Sequence, residues 1–378
     1  MQEIKRGGTV SKQTLAYIGH IFHQKTRSNQ FFLDILQEKY EVDQFFYDPE
    51  TEKLTIPGEK KSHYDVLVLY QMPMPVKQID QLFQYTTGNY VPMYDGTGEF
   101  PDRFWIQYRN FNIINFSKTL HERLKNDGFS SYYIKYFPKP FEHFDWGRKD
   151  GVFEWQRVQS ITFPRMEAML KKLNIKQVHL HLTSDPGQRC PGPSARVKRQ
   201  YRVTTSEWFR TKDEMLKKME GNALYIAPRP TEGIGMSFLE AMAMGRCVIA
   251  PDRPTMNEYI VSGQNGILYD LESPEIRQKF DIPTIQHNAY QSICEGYRQW
   301  EQDKYQIIDW VQKKAVVDQK KLKRTERFSV WSKTLTIKDL LLVGLDFEGR
   351  YFVFGVIRIP GRVVHKIKNV LARRRKSA

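Results

Sequence analysis

Apolar runs separated by polar turns recur through most of the chain. HYDVLVLYQM at 63–72 is nearly continuous in apolar residues, which is typical of a parallel strand buried on both faces. TLAYIGHIF at 14–22 and YEVDQFFYD at 40–48 are also predicted strands, and between them Ser28 is predicted as the N-cap of a helix. This alternation of strands and helices predicts an α/β protein with mainly parallel sheets.

The segment PKPFEHFDWGRKDG at 138–151 interrupts this alternation with two prolines and two glycines, so it predicts a linker between domains. A second series of strands and helices follows, in which RVKRQYRVTT at 196–205 is predicted as a strand. We therefore expect an N-terminal Rossmann-like domain over 1–140, a second Rossmann-like domain over 141–284, helices over 285–330 that pack back on the body, and a basic amphipathic tail over 331–378.

Positive charge is concentrated at the C-terminus. The net charge is +15, and residues 312–378 hold 18 Lys and Arg against 5 Asp and Glu, so this stretch carries +13. The rest of the chain is nearly neutral, which argues against nucleic acid as a partner. Basic and apolar residues interleave in the tail, which predicts either an amphipathic helix on an anionic membrane surface or a solvated end. They are Arg362, Lys366, Lys368, Arg373, Arg374, Arg375 and Lys376, with Val363, Val364, Ile367, Val370 and Leu371 between them.

The cysteines and the N-terminus bear on the compartment. Three cysteines occur, far apart and without CxxC spacing, so neither a disulfide framework nor a zinc site is expected. The opening MQEIKRGGTVSKQ lacks the apolar core of a secretion signal, and no run approaches the length of a membrane span. We expect a cytoplasmic protein, with the tail as a means of lying on the inner face of the plasma membrane.

The sequence PRPTEGIGMSFLE joins the apolar strand ALYIA to a helix. In open α/β sheets, ligands bind at the carboxyl ends of strands, where a helix N-terminus offers free N–H groups to phosphate or sugar oxygens. Gly233 and Gly235 allow close approach to the backbone, and the carboxylates of Glu232 and Glu240 suit sugar and ribose hydroxyls. Two simpler interpretations stay open: Ser237 and Glu240 form a capping box, and Glu232 is a solvated loop acid.

The longer stretch PRPTEGIGMSFLEAMAMGRCVIAPDRPTMNEYIVSGQNGILYD resembles the nucleotide-binding signature of retaining glycosyltransferases with the two-domain GT-B fold, family four in particular. The spacing of the two Glu, the Gly-x-Gly after the first, and the order of LEAMAMG, VIAPD, NEYI and NGILYD carry the resemblance. It implies two Rossmann-like domains that face each other across a cleft. It also implies that Glu232 touches the donor sugar, that Glu240 holds the ribose, and that the backbone cradles the sugar and diphosphate. The cradle is formed by Gly233, Ile234, Gly235, Met236 and Ser237.

The resemblance is weaker for the cations and for the first domain. Arg157, at the end of the strand FEWQRV, lies where relatives place an Arg that neutralises the donor diphosphate. The Lys that follows in relatives has no counterpart, and Arg165 or Arg229 is the available substitute. Of the glycines that usually follow the first strand, only Gly19 is present, so the loop at 19–28 is atypical.

Three further acidic residues match family positions near the cleft. Asp95, in YDGTG, either contacts a sugar at the reacting centre or caps a turn. Asp185 follows the strand HLHL, where relatives border the nucleotide base. Glu258, in NEYI, either contacts the donor or caps a helix.

The sequence therefore predicts a retaining glycosyltransferase that moves a sugar from a nucleotide-sugar donor to a glycan or lipid-linked acceptor. The donor is a substrate, and neither a cofactor nor a metal is expected, because no DxD pair occurs. Family and tail together suggest bacterial cell-surface polysaccharide biosynthesis, of lipopolysaccharide, capsule or O-antigen. Two alternatives stay open: an inactive homologue that binds nucleotide sugar or acts as a scaffold, and an epimerase or phosphorylase on the same fold.

Overall fold

The computed structural model describes residues 12–185, 187–276 and 278–331, so the predicted tail lies outside the described residues except for its first position. The described chain forms two sheets. The first contains β1 (Gln13–His20), β2 (Tyr40–Asp48), β3 (Lys53–Thr55), β4 (Tyr64–Gln71), β5 (Tyr85–Pro92), β6 (Asn112–Asn115) and β7 (Ser131–Tyr133). The second contains β8 (Arg148–Trp155), β9 (Gln177–His181), β10 (Arg202–Ser206), β11 (Asn222–Ile226), β12 (Cys247–Pro251) and β13 (Ile267–Tyr269).

Both sheets have the crossover order of open parallel sheets. The strand order is β3-β2-β1-β4-β5-β6-β7 in the first domain and β10-β9-β8-β11-β12-β13 in the second. Every pair is parallel except β2 with β3. The predicted α/β class is confirmed, since β1 and β4 are buried apolar strands at the centre of the first sheet.

The helices cover the sheets. In the first domain they are α1 (His23–Thr26), α2 (Gln30–Lys39), α3 (Val76–Leu82), α4 (Asp102–Trp105) and α5 (Lys118–Asn126). In the second they are α6 (Phe163–Lys172), α7 (Ala195–Gln200), α8 (Lys212–Glu220), α9 (Met236–Ala243) and α10 (Met256–Tyr259). The C-terminal helices are α11 (Ile282–Asp303), α12 (Gln306–Gln312) and α13 (Gln319–Trp331).

Two local predictions were wrong. The strand predicted at 196–205 is half helix, because the Ser194 side chain accepts a hydrogen bond from the Val197 N–H and starts α7. The N-cap of α2 is Asn29 rather than Ser28, and its side chain makes no capping bond.

The C-terminal helices tie the two domains together. Helix α11 packs on α9 and β12 of the second domain, whereas α12 packs on strands of the first. The end of α12 is held by buried polar groups: Thr87 Oγ1 and Asn89 Nδ2 each donate to the Val311 carbonyl at 2.9 Å. Asn112 Nδ2 donates to the Lys313 carbonyl at 2.6 Å. Hydrogen bonds to the carbonyls at the end of α12, and not apolar packing alone, therefore hold this helix on the first domain.

Candidate donor and acceptor site at the cleft between the domains

The turn between β11 and α9 is shaped by two glycines. Gly235 is the N-cap of α9 and has a φ of +80°, which glycine adopts without strain. A Cβ there would also overlap the ring of Phe238. The capping box considered for Ser237 and Glu240 is not formed, because Ser237 lies inside the helix and the helix has no side-chain cap.

Gly233 brings this turn against the first domain. A Cβ at position 233 would lie 2.7 Å from Met93 Cβ and 3.0 Å from Asp95 Oδ1. Met93 follows β5, so the carboxyl ends of β5 and β11 face each other across the cleft. The absence of a side chain at position 233 permits this approach.

Two arginines converge on one carboxylate beside the turn. Arg157 donates from Nε and Nη2 to Asp185 Oδ1 at 2.8 and 2.6 Å. Arg229 donates from Nε and Nη2 to Asp185 Oδ2 at 3.0 and 2.7 Å. Its third nitrogen, Nη1, donates to Asp95 Oδ2 of the first domain at 2.8 Å. The two guanidinium groups therefore form a cationic pair whose position is fixed by Asp185 and Asp95.

This arrangement distinguishes the two arginines considered as substitutes for the lysine that relatives have and this chain lacks. Arg165 lies away from the pair, since its Nη2 donates to the Leu271 carbonyl at 3.2 Å. Arg229, in contrast, shares a carboxylate with Arg157. Of the two substitutes considered from the sequence, Arg229 is the one that shares a carboxylate with Arg157.

Glu232 lies at the same turn and is only 8% exposed. Among the described residues, its carboxylate has no hydrogen-bond partner. Burial raises its pKa to about 7, an effect that the Arg229 charge opposes and the Asp95 charge reinforces. Glu232 is therefore a buried carboxyl and not a solvated loop acid.

Glu240 projects from α9 and forms an ion pair with Lys212, the first residue of α8. The Glu240 side chain is 10% exposed, whereas that of Lys212 is 61% exposed. Burial raises the pKa of Glu240, and the Lys212 charge opposes that rise. A buried carboxylate that can accept hydrogen bonds therefore lies near the turn, with one exposed cation beside it. Nothing in the sequence pattern marked Lys212, because a lysine at the start of a surface helix is common.

Glu258 has different partners from those predicted. Its Oε1 accepts from Ser117 Oγ at 2.8 Å and from Thr119 N at 3.0 Å, and its Oε2 accepts from Lys118 N at 2.7 Å. These groups form the N-terminus of α5 in the first domain, so Glu258 caps a helix of the other domain. Its predicted donor contact remains a prediction, and both carboxylate oxygens are occupied in this structure.

The cleft beside these residues has a volume of about 640 Å³. Its walls come from both domains: Tyr94 and Glu99 of the first, and Asp252, Arg253, Pro254, Leu268, Tyr269, Asp270 and Leu271 of the second. In the described part of the chain, no group of three or more His, Cys, Asp or Glu side chains could hold a metal ion.

Residues 159–278, which contain most of this site, match the family model described as glycosyl transferases group 1. Over these residues the chain contains a group 1 glycosyltransferase domain. The matched region includes Arg229, Glu232 and Glu240, whereas Arg157 and Asp95 lie outside it. No curated protein sequence matches the chain.

Two solved structures, of sucrose-phosphate synthase and HepE, support the GT-B fold. Sucrose-phosphate synthase from Thermosynechococcus elongatus is similar with a TM-score of 0.55 and 14% identity, over 79% of this chain and 100% of that one. HepE from Anabaena, in complex with UDP-glucose, has a TM-score of 0.50 and 13% identity, over 79% of this chain and 100% of that one. TarM matches over 68% of this chain and 60% of its own, at 17% identity and a TM-score of 0.46. Within the described ranges, no helix has the length and apolar character needed to cross a bilayer.

Proposed function

We propose that this glycosyltransferase binds a nucleotide-sugar donor at the turn between β11 and α9 and transfers the sugar with retention of configuration. The observation that supports this most strongly is the pair of guanidinium groups, Arg157 and Arg229, that meet on Asp185. Arg229 precedes Glu232 on the turn that leads into α9, and Arg157 follows β8. We propose that this pair of cations binds the donor diphosphate and that the two glutamates bind the sugars on either side of it. HepE, whose fold is similar, is described in complex with UDP-glucose.

In the proposed complex the donor diphosphate faces the two arginines and the N–H groups at the start of α9. A diphosphate carries more negative charge than Asp185, so it competes for the same guanidinium groups. When the bond from the anomeric carbon to the phosphate oxygen breaks, negative charge builds on the leaving nucleotide, and Arg157 and Arg229 stabilise it. Asp185 then serves to hold the arginines in place between turnovers.

The two glutamates take the two sugars of the donor. Glu240, buried and paired with Lys212, accepts hydrogen bonds from ribose hydroxyls. Glu232, with a pKa near 7, both donates to and accepts from hydroxyls of the transferred sugar. Asp95 reaches the same place from the first domain through its contact with Arg229. Retention of configuration is supported by the resemblance to family four.

The acceptor enters from the first domain. We propose a glycan or lipid-linked acceptor of bacterial cell-surface polysaccharide biosynthesis, with the protein held in the cytoplasm at an anionic membrane surface. The support is the basic, apolar sequence from 332 onward, which lies outside the described residues.

The experiment is thermal unfolding of the purified protein with a panel of UDP-, GDP-, ADP- and CMP-sugars. A ligand at about 100 times its dissociation constant stabilises the folded state by roughly 2.7 kcal/mol. We expect a shift with one nucleotide class, lost in Glu240→Ala and retained in Glu295→Ala, which alters an exposed glutamate of α11. An equal shift in both variants, or none with any nucleotide sugar, contradicts the proposal. If nucleotide is released only when an acceptor is present, the protein is a transferase and not an epimerase. If the donor binds and no nucleotide is released, the protein is an inactive homologue.

A further inference from the structure

The segment 313–324, which joins α12 to α13 and includes the first turns of α13, presents a group of lysines to solvent. The proposed donor site uses none of them. Among the described residues, none of their side chains pairs with a carboxylate. The five lysines, all exposed, are Lys313, Lys314, Lys320, Lys321 and Lys323.

Buried contacts hold this segment on the first domain. Leu322 is 3% exposed and belongs to the apolar core of that domain. Thr325 Oγ1 donates to the Asp127 carbonyl at 3.2 Å. Leu322 and Thr325 are three positions apart on α13 and face inward, so Lys320 and Lys323 lie on the opposite side of the helix. The fold therefore presents these lysines from a fixed helix face and not from a solvated chain end.

One acid accompanies these cations, and the start of α13 uses it. Asp318 Oδ1 accepts from the N–H groups of Lys320 and Lys321 at 3.0 and 3.1 Å. The carboxylate thus satisfies N–H groups that the first turn of a helix leaves without partners. Residues 313–324 hold six Lys and Arg against this one Asp, so the segment carries a net charge of +5. A positive charge of this density attracts an anionic surface.

An apolar side chain accompanies the lysines. Val316, in the loop between α12 and α13, exposes 77% of its surface. Its neighbour Val317 packs against the core of the first domain. The surface of a bilayer offers an anionic layer for lysines and an apolar layer beneath it for a side chain such as Val316. A nucleic acid offers a phosphate backbone without an apolar layer beneath it, so Val316 favours a bilayer as the partner.

We infer that residues 313–324 form a docking surface for an anionic lipid bilayer, on which the first domain rests through α13 and the loop before it. The lysines face the lipid phosphates, and Val316 enters the interfacial layer. The sequence that follows the described residues has the same character, since residues 332–378 hold 11 Lys and Arg against 3 Asp and Glu. This assignment rests on the proposed function for the membrane as a partner, but bilayer binding does not require a donor.

The test is sedimentation of the full chain with vesicles, without nucleotide, at about 0.1 M NaCl. We expect binding to vesicles of phosphatidylcholine and phosphatidylglycerol, and none to phosphatidylcholine alone. The triple variant Lys320→Gln/Lys321→Gln/Lys323→Gln should bind about a hundredfold more weakly, since each lysine near the surface contributes about fivefold. Val316→Ser should weaken binding several-fold, because a valine side chain is lost from the apolar layer.

The matched control removes the same amount of charge from the second domain. It is the triple variant Lys149→Gln/Lys176→Gln/Lys198→Gln, in which all three lysines are exposed. We expect this variant to bind the anionic vesicles nearly as well as the unchanged protein does, because its lysines lie on the other domain.

Three results overturn the inference: no binding to the anionic vesicles, equal losses in the two triple variants, or unchanged binding in the α13 variant, since the tail would then suffice. Binding to a duplex DNA oligonucleotide in place of vesicles, lost in the α13 variant, would assign the surface to nucleic acid and also overturn it. Thermal unfolding of the same samples with nucleotide sugars tests the donor site separately. Vesicle binding without a nucleotide-sugar shift leaves the docking surface and removes the proposed donor, and the reverse result removes the surface and leaves the donor.

Discussion

The two domains present different surfaces at the carboxyl ends of their strands, in the loop after β1 and in the turn after β11. The turn after β11 exposes mainly backbone, because Gly233 and Gly235 lie too close to Met93 and Phe238 for a side chain to fit. Arg157 and Arg229 lie beside this turn. The loop after β1 is built from side chains, mainly carboxamides and His23. A backbone cradle suits a ligand whose diphosphate never changes. A lining of side chains can be altered one residue at a time to suit a particular acceptor.

Replacing one glycine in each region tests this contrast most severely. Gly235→Ala should destabilise the fold by about 3 kcal/mol, because the residue has a φ of +80° and a Cβ would overlap Phe238. Gly19→Ala should cost less than about 1 kcal/mol, since its Cβ would meet Tyr17 Cε1 at 3.1 Å and the backbone is unstrained. Urea unfolding measures both, and equal losses would remove the contrast.

The buried carboxyl at the turn should matter for chemistry more than its neighbour in the first domain. Glu232→Gln should slow transfer by about 30- to 100-fold at saturating donor, because a hydrogen bond to a charged group is worth about 2–3 kcal/mol. Asp95→Asn should slow it only a few-fold, since Asp95 acts through Arg229. The measurement is the initial rate of nucleotide release. A larger effect at Asp95 would reverse the assignment.

The two regions should respond to pH in opposite directions. Glu232 has a pKa of about 7, above the ordinary 4.5, so its native-state contribution to stability falls as pH rises through this window. His23 has a pKa of about 4, below the ordinary 6.5, so its contribution falls as pH drops through that window.

Paired variants isolate these contributions. The quantity compared is the free energy of unfolding of each variant minus that of the unchanged protein. For Glu232→Gln this difference should be about 2 kcal/mol higher at pH 8 than at pH 5. For His23→Asn it should be about 2 kcal/mol higher at pH 4 than at pH 7. Denaturant unfolding at the named pH values measures the differences. Other buried groups, such as Glu154 and His179, are present in every sample and cancel. Slopes of the same sign in both variants would contradict the assignment.

The smallest effect on stability is expected where Glu258 of the second domain contacts helix α5 of the first. Glu258→Gln weakens the cap on α5 and should cost about 1 kcal/mol of stability. Glu122→Gln alters an exposed ion pair on the same helix, with Lys118, and should cost less than about 0.5 kcal/mol. Thermal unfolding compares them, and a larger loss at Glu122 would show that Glu258 does not join the domains.

Local signals were enough to predict the turn after β11. An apolar strand, two glycines one residue apart and a following helix are properties of consecutive residues, so the strand–turn–helix and its two glutamates could be placed from sequence. Strand β2 was predicted with its observed bounds, 40–48. Helix α7 was not predicted, although Ser194 is a typical N-cap residue, because the β-branched and aromatic residues that follow it favour a strand.

Contacts between distant residues could not be predicted in the same way. Arg229 and Asp185 are separated by 44 positions, and Glu258 and Ser117 by 141. The order of β8, β9 and β11 in the sheet decides which arginine lies beside Arg157. The sequence alone allowed Arg165 as readily as Arg229. The burial of His23 depends on α2 and β2 packing over a loop that has no family pattern.

In the proposed complex, Arg229 completes the diphosphate site that Arg157 begins. Isothermal titration of the donor nucleotide identified in the thermal panel, with Arg229→Ala and Arg165→Ala beside the unchanged protein, tests it directly. We expect a loss of affinity of tenfold or more in Arg229→Ala, from about 1.5–3 kcal/mol of charge-assisted hydrogen bonding, and no change in Arg165→Ala. Unchanged affinity in Arg229→Ala, or a loss confined to Arg165→Ala, would contradict it.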